Sequence, residues 1–430
     1  MKIKLLKSLL NLLIAGTIIL YSKQVICQPT VALNNAHKEI WRRFIDQNNI
    51  LIDYADFNGI YPRPTSEEFR ENKPNALAWW TPTENGSMFN GLYLDGICRR
   101  WIFFKKKEDK MKAKRLVKGL LLLASAGDTP GVICRSVATD SKTPPAMGSN
   151  DQTSPWFYGL WRYIYSGLPD KKEKKMIITK MLEVANVLKS LDWQLPTNSY
   201  SPSKYRNSLA GFEWESAPRL LFVLKAMHYL TGDEQWNKLY RVAAMEKGGE
   251  SNRSRVEICA YGMYFDKNKV NRWTGVTSTV DLLALWEMET DPSLKKSYSD
   301  GLNASARSAA SGLELWKKFD NNDDKYMMLD WRTLNQWWKP QYSLQDALDV
   351  AQKQLIELDK LSPRRPQELY NVRESIWMSW IITMATDRNL IDQHRKEILS
   401  AIDYFQYDKL YYSQFFPVES VWYRLQESKK

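Results

Sequence analysis

The sequence predicts an all-α fold, an (α/α)6 toroid of six inner and about six outer helices, and three observations lead there. Apolar residues recur with a helical period along most of the chain, and convincing strands are few. Connections alternate between very short ones, such as Leu168-Pro169, Thr231-Gly232 and Asp291-Pro292, and long ones at 50–85, 126–153, 191–215, 247–274, 320–326 and 360–367. Short connections join antiparallel neighbours, and loops beyond about 12–15 residues in a compact domain are usually functional. Composition alternates in step, because the helices entered through long loops are apolar nearly all round while their partners carry charge runs. A helix without a polar face is buried. Six such helices inside a ring of outer ones would bring every long loop to one end.

From the N-terminus, Lys2, Lys4 and Lys7 precede an apolar stretch over 9–20, which reads as a secretory signal peptide. Residues 1–27 would be removed after Cys27, and 28–430 would form a single catalytic domain in the periplasm or outside the cell. The apolar stretch is too short to span a bilayer. A lipid-anchored Cys27 is the competing reading, although Gln24, Val25 and Ile26 make a poor lipobox. Inner helices are expected near 86–105, 154–166, 216–231, 275–290, 327–338 and 368–386. Outer ones are expected near 33–48, 109–125, 170–190, 233–246, 293–319, 344–359 and 389–405. The lysine runs at 105–114 and 171–175 read as solvated outer faces.

Composition narrows the chemistry. With 3 His and 4 Cys in 430 residues, zinc sites and His-based triads have little to draw on, and no metal or cofactor is expected. Cys98, Cys134 and Cys259 lack C-x-x-C spacing, so buried free thiols are expected rather than a disulfide framework. No P-loop, G-x-G-x-x-G, H-E-x-x-H or G-x-S-x-G is present. The net charge of +12 comes with 49 interspersed acids, which together with export argues against nucleic acid as a partner.

Candidate chemistry gathers where long loops enter inner helices, at 81–86, 150–155 and 212–218. Pro155 and Pro218 belong in a first helical turn, which places Asp151 and Glu215 at or just before helix N-termini. Either acid could be a cap that stabilises the helix dipole. A carboxylate held ionised by backbone N–H groups also suits a base. Acids beside an indole, as Glu213 and Glu215 are to Trp214, could be kept protonated. Paired carboxylates with split roles are what glycosidic cleavage needs. Asp95 lies farther along the first inner helix and Glu374 opens the last. A buried Asp95 would need a partner such as Arg99 or Arg100. Trp79, Trp80, Trp214, Trp273, Trp331, Trp337 and Trp338, at or near the loop ends, offer faces for sugar stacking as well as for packing. Loop arginines, Arg135 and Arg365 among them, would suit a uronic acid or sulfated sugar.

The stretches 84–101, 151–165 (within Ser149-Asn150-Asp151-Gln152-Thr153-Ser154-Pro155-Trp156-Phe157-Tyr158-Gly159-Leu160-Trp161) and 212–231 resemble exported proteins of the six-hairpin glycosidase superfamily. The resemblance implies catalytic acids at inner-helix entrances. Asp151 followed by Gln152 resembles an Asp-Asn element of one family, and Asp95 falls about where another catalytic acid would stand. The Trp-Gly-Arg-Gly element of unsaturated glucuronyl hydrolases is missing. The expectation is a glycoside hydrolase acting on an oligosaccharide, with Asp151 as base and Glu215 or Glu213 as general acid. Glu84 would anchor substrate and Arg135 would meet an anionic group. Asp95, Gln152, Trp156, Trp214, Trp273 and Glu374 complete the expected binding set. A polysaccharide lyase using Tyr158, Tyr205 or Tyr261 is one rival, and a non-catalytic glycan-binding surface protein is another.

Overall fold

The computed structural model describes residues 30–265 and 272–427, of which 272–274 are described in backbone only. The fold is all-α, 63% helical with 4% strand. From Val31 onward the chain belongs to one compact unit. The α-helices of seven or more residues are α1 (Val31–Glu39), α2 (Gly86–Phe104), α3 (Lys107–Leu123), α4 (Asn150–Tyr165), α5 (Lys171–Ser190), α6 (Ala217–Thr231) and α7 (Glu234–Met245). They continue as α8 (Arg255–Tyr261), α9 (Arg272–Met288), α10 (Pro292–Ala309), α11 (Leu344–Leu361), α12 (Glu374–Thr383), α13 (Arg388–Tyr404) and α14 (Val418–Glu427). Two short antiparallel pairs, Gln194–Pro196 with Tyr205–Ser208 and Lys247–Gly248 with Arg253–Ser254, are the strands among the described residues.

Packing runs round a closed circuit. Helix α2 packs on α4, α4 on α6 and α9, α6 on α9, α9 on α12, α12 on α14, and α14 back on α2. Outside it, α3 lies on α2 and α4, α5 on α4 and α6, and α7 on α6. Farther round, α10 lies on α9 and α12, α13 on α12 and α14, and α1 on α13 and α14. The circuit helices bury residues on every side, as their composition demands, while α3, α5, α7 and α13 each keep one solvated face.

Two expectations about the inner helices need correcting. The segment near 327–338 holds only a short 3-10 turn, Trp331–Trp337, with Trp331 buried. Its place in the circuit belongs to α14, a ten-residue helix shorter than the window in which helical periodicity is legible. Pro155 does not open its helix either. Helix α4 begins at Asn150 with Pro155 inside it, where the missing proline N–H leaves the Asp151 carbonyl without its intrahelical donor. Pro218 does sit in the first turn of α6.

Helices α2 and α4 cross closely where Gly91 and Gly159 meet. Cys98, Cys134 and Cys259 are free and buried. Among the described residues no helix is long and apolar enough to cross a membrane.

Candidate active site

The N-termini of α2, α4 and α12 open on one cleft of about 730 Å³. Its walls carry Asp53, Glu84, Asp151, Asp359 and Glu374 as acids, Arg365 and Arg373 as bases, and Tyr54, Trp79, Trp80, Tyr370 and Tyr412 as aromatic surface.

Glu84 stands just before α2. Its carboxylate turns back from the helix, and Oε2 accepts the Trp80 backbone N–H at 2.8 Å. The turn it closes is strained, since Ala78 and Trp80 both have left-handed backbones with φ of 53° and 74°. The Trp80 indole N–H is fixed by the Ala351 carbonyl of α11 at 2.9 Å. Burial raises the pKa of Glu84 and the nearby Asp151 charge adds to this, against the opposing pull of Arg135, the Trp80 N–H and Arg365. Behind it, Asp53 is also pushed well up, by burial and by Glu84. Both Asp53 oxygens accept from Asn85, from its backbone N–H at 2.8 Å and its side-chain amide at 2.7 Å. Asn85 thus engages both oxygens of Asp53, while Glu84 stands half-buried in the cleft wall.

Asp151 lies in the first turn of α4, where its own N–H donates to Asn150 Oδ1 at 2.9 Å and the N-cap residue Ser149 makes no side-chain cap bond. Its Oδ1 accepts the Ser149 hydroxyl and lies 3.9 Å from Arg135 Nη2. Burial would raise its pKa, but Arg135, the Ser149 hydroxyl, Arg219 and Arg206 outweigh it, and the net shift is downward. The helix N-terminus works in the same direction. Arg206 stacks 5.2 Å above Trp79, and burial together with the charge of Arg135 lowers its own pKa to about 10.

The remaining cleft groups suit binding. Arg365 lies 5.2 Å above the Trp80 ring and pairs with Asp359 at 2.5 Å. Glu374 Oε1 accepts from Arg373 Nη2 at 2.9 Å. Trp79 and Trp80 rings lie 5.5 Å apart. Among the described residues no group of three or more His, Cys, Asp or Glu side chains is placed to hold a metal ion.

No family model, curated protein or solved structure matches the chain.

Of the residues expected from the sequence, Glu84, Asp151 and Glu374 come together here. Glu213 is exposed and Glu215 half-buried, and neither is among the described residues lining the cleft. Arg135 is 1% exposed and spends its guanidinium on the carbonyls of Met147 and Glu84 and on Ser149. It therefore braces both acids from behind and is not among the described residues lining the cleft. Gln152 is wholly buried, bridging the Met88 N–H and the Asn85 amide. Trp156 is buried with its indole N–H on the Leu120 carbonyl, and Trp214 is buried as well. The side chain of Trp273 lies outside the described residues.

Asp95 sits deep between α2, α4 and α14. It is paired with Arg99 at 3.1 Å, Arg162 at 3.3 Å and Arg424 at 3.5 Å, and accepts the Tyr158 hydroxyl. Despite burial, these cations hold its carboxyl far below the usual range, so its role is to tie inner helices together.

Sequence reasoning missed Asp53, Tyr54, Arg373 and Tyr412. Asp53 did leave a signal, an acid inside Leu51-Ile52-Asp53-Tyr54-Ala55, where burial demands a bonded partner.

Proposed function

We propose that the closed circuit of helices is an (α/α)6 toroid, and that the protein is an exported glycoside hydrolase related to the six-hairpin superfamily. One observation carries this reading. Two carboxylates whose surroundings push their proton affinities apart, Glu84 upward and Asp151 downward, line one sugar-sized cleft beside a tryptophan pair. Glu84, rather than Glu215 or Glu213, takes the acid role and protonates the leaving oxygen through Oε1. Asp151 remains ionised as base or water-positioning carboxylate. Arg365, held rigid by Asp359 and Trp80, supports a substrate bearing a uronic acid carboxylate.

The lyase alternative needs a tyrosine that gives up its proton readily. Burial raises the pKa of both Tyr54 and Tyr412, which favours hydrolysis. The test is turnover of a panel of uronic-acid oligosaccharides with Glu84→Gln and Asp151→Asn. Each variant should lose about 10²–10⁴-fold in kcat with an unchanged circular dichroism spectrum. Full activity in either folded variant, or an unsaturated product, would sink the assignment.

A further inference from the structure

The end of the molecule away from the cleft carries a different surface. Helix α2 runs for nineteen residues from the cleft, about 28 Å at the helical rise, and ends in Trp101-Ile102-Phe103-Phe104 followed by Lys105-Lys106-Lys107. Helices α3 and α5 both begin at this end and are joined there by Lys114 Nζ to Glu173 Oε1 at 3.5 Å. The charges of Lys110 and Lys114 also reach Asp170, the cap of α5.

Residues 102–118 and 170–180 hold thirteen Lys and Arg against four Asp and Glu, which is nine of the chain's twelve net positive charges. Two of the four acids, Asp109 and Glu173, are buried and face inward. The other two, Glu108 and Asp170, are exposed, and Glu108 pairs with Lys112, so the solvated side of the patch keeps a large positive excess with two acids in it.

Apolar side chains stand among the lysines. Ile102 is 44% exposed, Met111 58% and Met176 52%. Trp101 and Phe104 are half-buried beneath Lys105 and Lys106, whose ammonium groups lie 3.7 Å and 5.6 Å from the ring centroids. Tyr165 and Tyr229 extend the same rim from the last turns of α4 and α6.

We propose that this face docks on a bilayer surface rich in anionic phospholipid, leaving the cleft pointed away from the membrane. Lysines attract the anionic headgroups, each giving about fivefold in affinity near such a surface. Their stems and the neighbouring Ile102, Met111 and Met176 enter the headgroup boundary, as tryptophan and lysine do at interfaces. An anionic polysaccharide would use the charge but gain nothing from the exposed methionines and isoleucine. The proposal is independent of what the cleft does.

The test is flotation of the full chain with vesicles of phosphatidylcholine containing 30% phosphatidylglycerol, against phosphatidylcholine alone. The wild type should partition at least tenfold better into the anionic vesicles and lose that preference at high salt. Reversing five exposed lysines (Lys106→Glu, Lys107→Glu, Lys110→Glu, Lys171→Glu and Lys172→Glu) should lower anionic partition by about a hundredfold or more. New acids in the first turns of α3 and α5 complement the helix dipoles, so the fold is retained. The same five positions changed to Arg should keep binding, and Ile102→Ser should weaken it severalfold even at constant charge. Any contribution from the apolar stretch at 9–20 is common to all these proteins and cancels in the comparison. Equal partition of the wild type and the Glu variant overturns the proposal. So does patch-dependent binding of soluble polygalacturonate without binding of vesicles.

Discussion

Replacing Gly91 by alanine tests how the cleft is held in register. In an exposed helix interior this change stabilises by about 1 kcal/mol, so the intrinsic preference points one way. The structure points the other. A Cβ on Gly91 would lie 2.5 Å from the Pro155 carbonyl carbon and closer still to its oxygen, and both are backbone atoms that cannot rotate aside. Carbon contacts are comfortable at about 3.5 Å, so α2 and α4 must separate by roughly 1 Å. Overpacking of this kind costs about 1–3 kcal/mol or more. The net expectation is a loss of about 1–2 kcal/mol, read as a lower denaturant midpoint at unchanged slope. Pro155 is four residues beyond Asp151, so the same displacement shifts Asp151 against Glu84. A misplacement near 1 Å can cost about a hundredfold in turnover. Gly159→Ala, whose Cβ would meet the Gly91 Cα at 2.5 Å, should behave alike, and the pair should be strongly non-additive. A midpoint for Gly91→Ala at or above that of the wild type would refute the reasoning.

Turnover should depend on pH through a window bounded by the two acids. It opens as Asp151 ionises, below the ordinary Asp value of 3.8, and closes as Glu84 loses its proton, above the ordinary Glu value of 4.5. A kcat/KM profile whose acid limb lies above 4.5 would contradict it. Arg206→Gln removes one cation facing Asp151 and should move that acid limb upward while leaving the thermal transition unchanged. Arg365→Met should raise KM for a uronate substrate at least tenfold and for its uncharged methyl ester much less, by steady-state kinetics. Asp95→Asn removes the anion shared by Arg99, Arg162 and Arg424 and should destabilise by about 3–5 kcal/mol in denaturant titration. Because the folded pKa of Asp95 is depressed, its contribution is present above its unfolded value and lost as pH falls toward the folded one.

The long apolar helices were legible in the sequence because burial on every side leaves no polar stripe to misread, as in 88–94 and 376–382. The entrances carrying Glu84 and Asp151 were legible because long loops end there. Glu215 looked equivalent to them by pattern alone. Proximity to a shared opening depends on how each junction turns, and spacing along the chain does not encode that. Arg135 could not be distinguished from a ligand-facing arginine, since its partners are backbone carbonyls and Ser149, brought near by the fold. Asp53, Tyr54 and Tyr412 escaped notice because they sit in irregular segments without periodicity. Asp95 was recognised as needing a cation such as Arg99 or Arg100, but only the packing of α4 and α14 revealed Arg162 and Arg424.

The wall of the cleft joins opposite ends of the described chain. The Tyr54 and Tyr412 rings lie 5.4 Å apart, the Ser413 N–H donates to the Asp53 carbonyl at 2.8 Å, and α14 packs on α2. A nascent polypeptide whose residues 412–427 are still held by the ribosome therefore lacks one side of this cleft, however well its first helices have paired. Truncation before Tyr412 would leave a largely helical product that lacks the Tyr54–Tyr412 wall of the cleft.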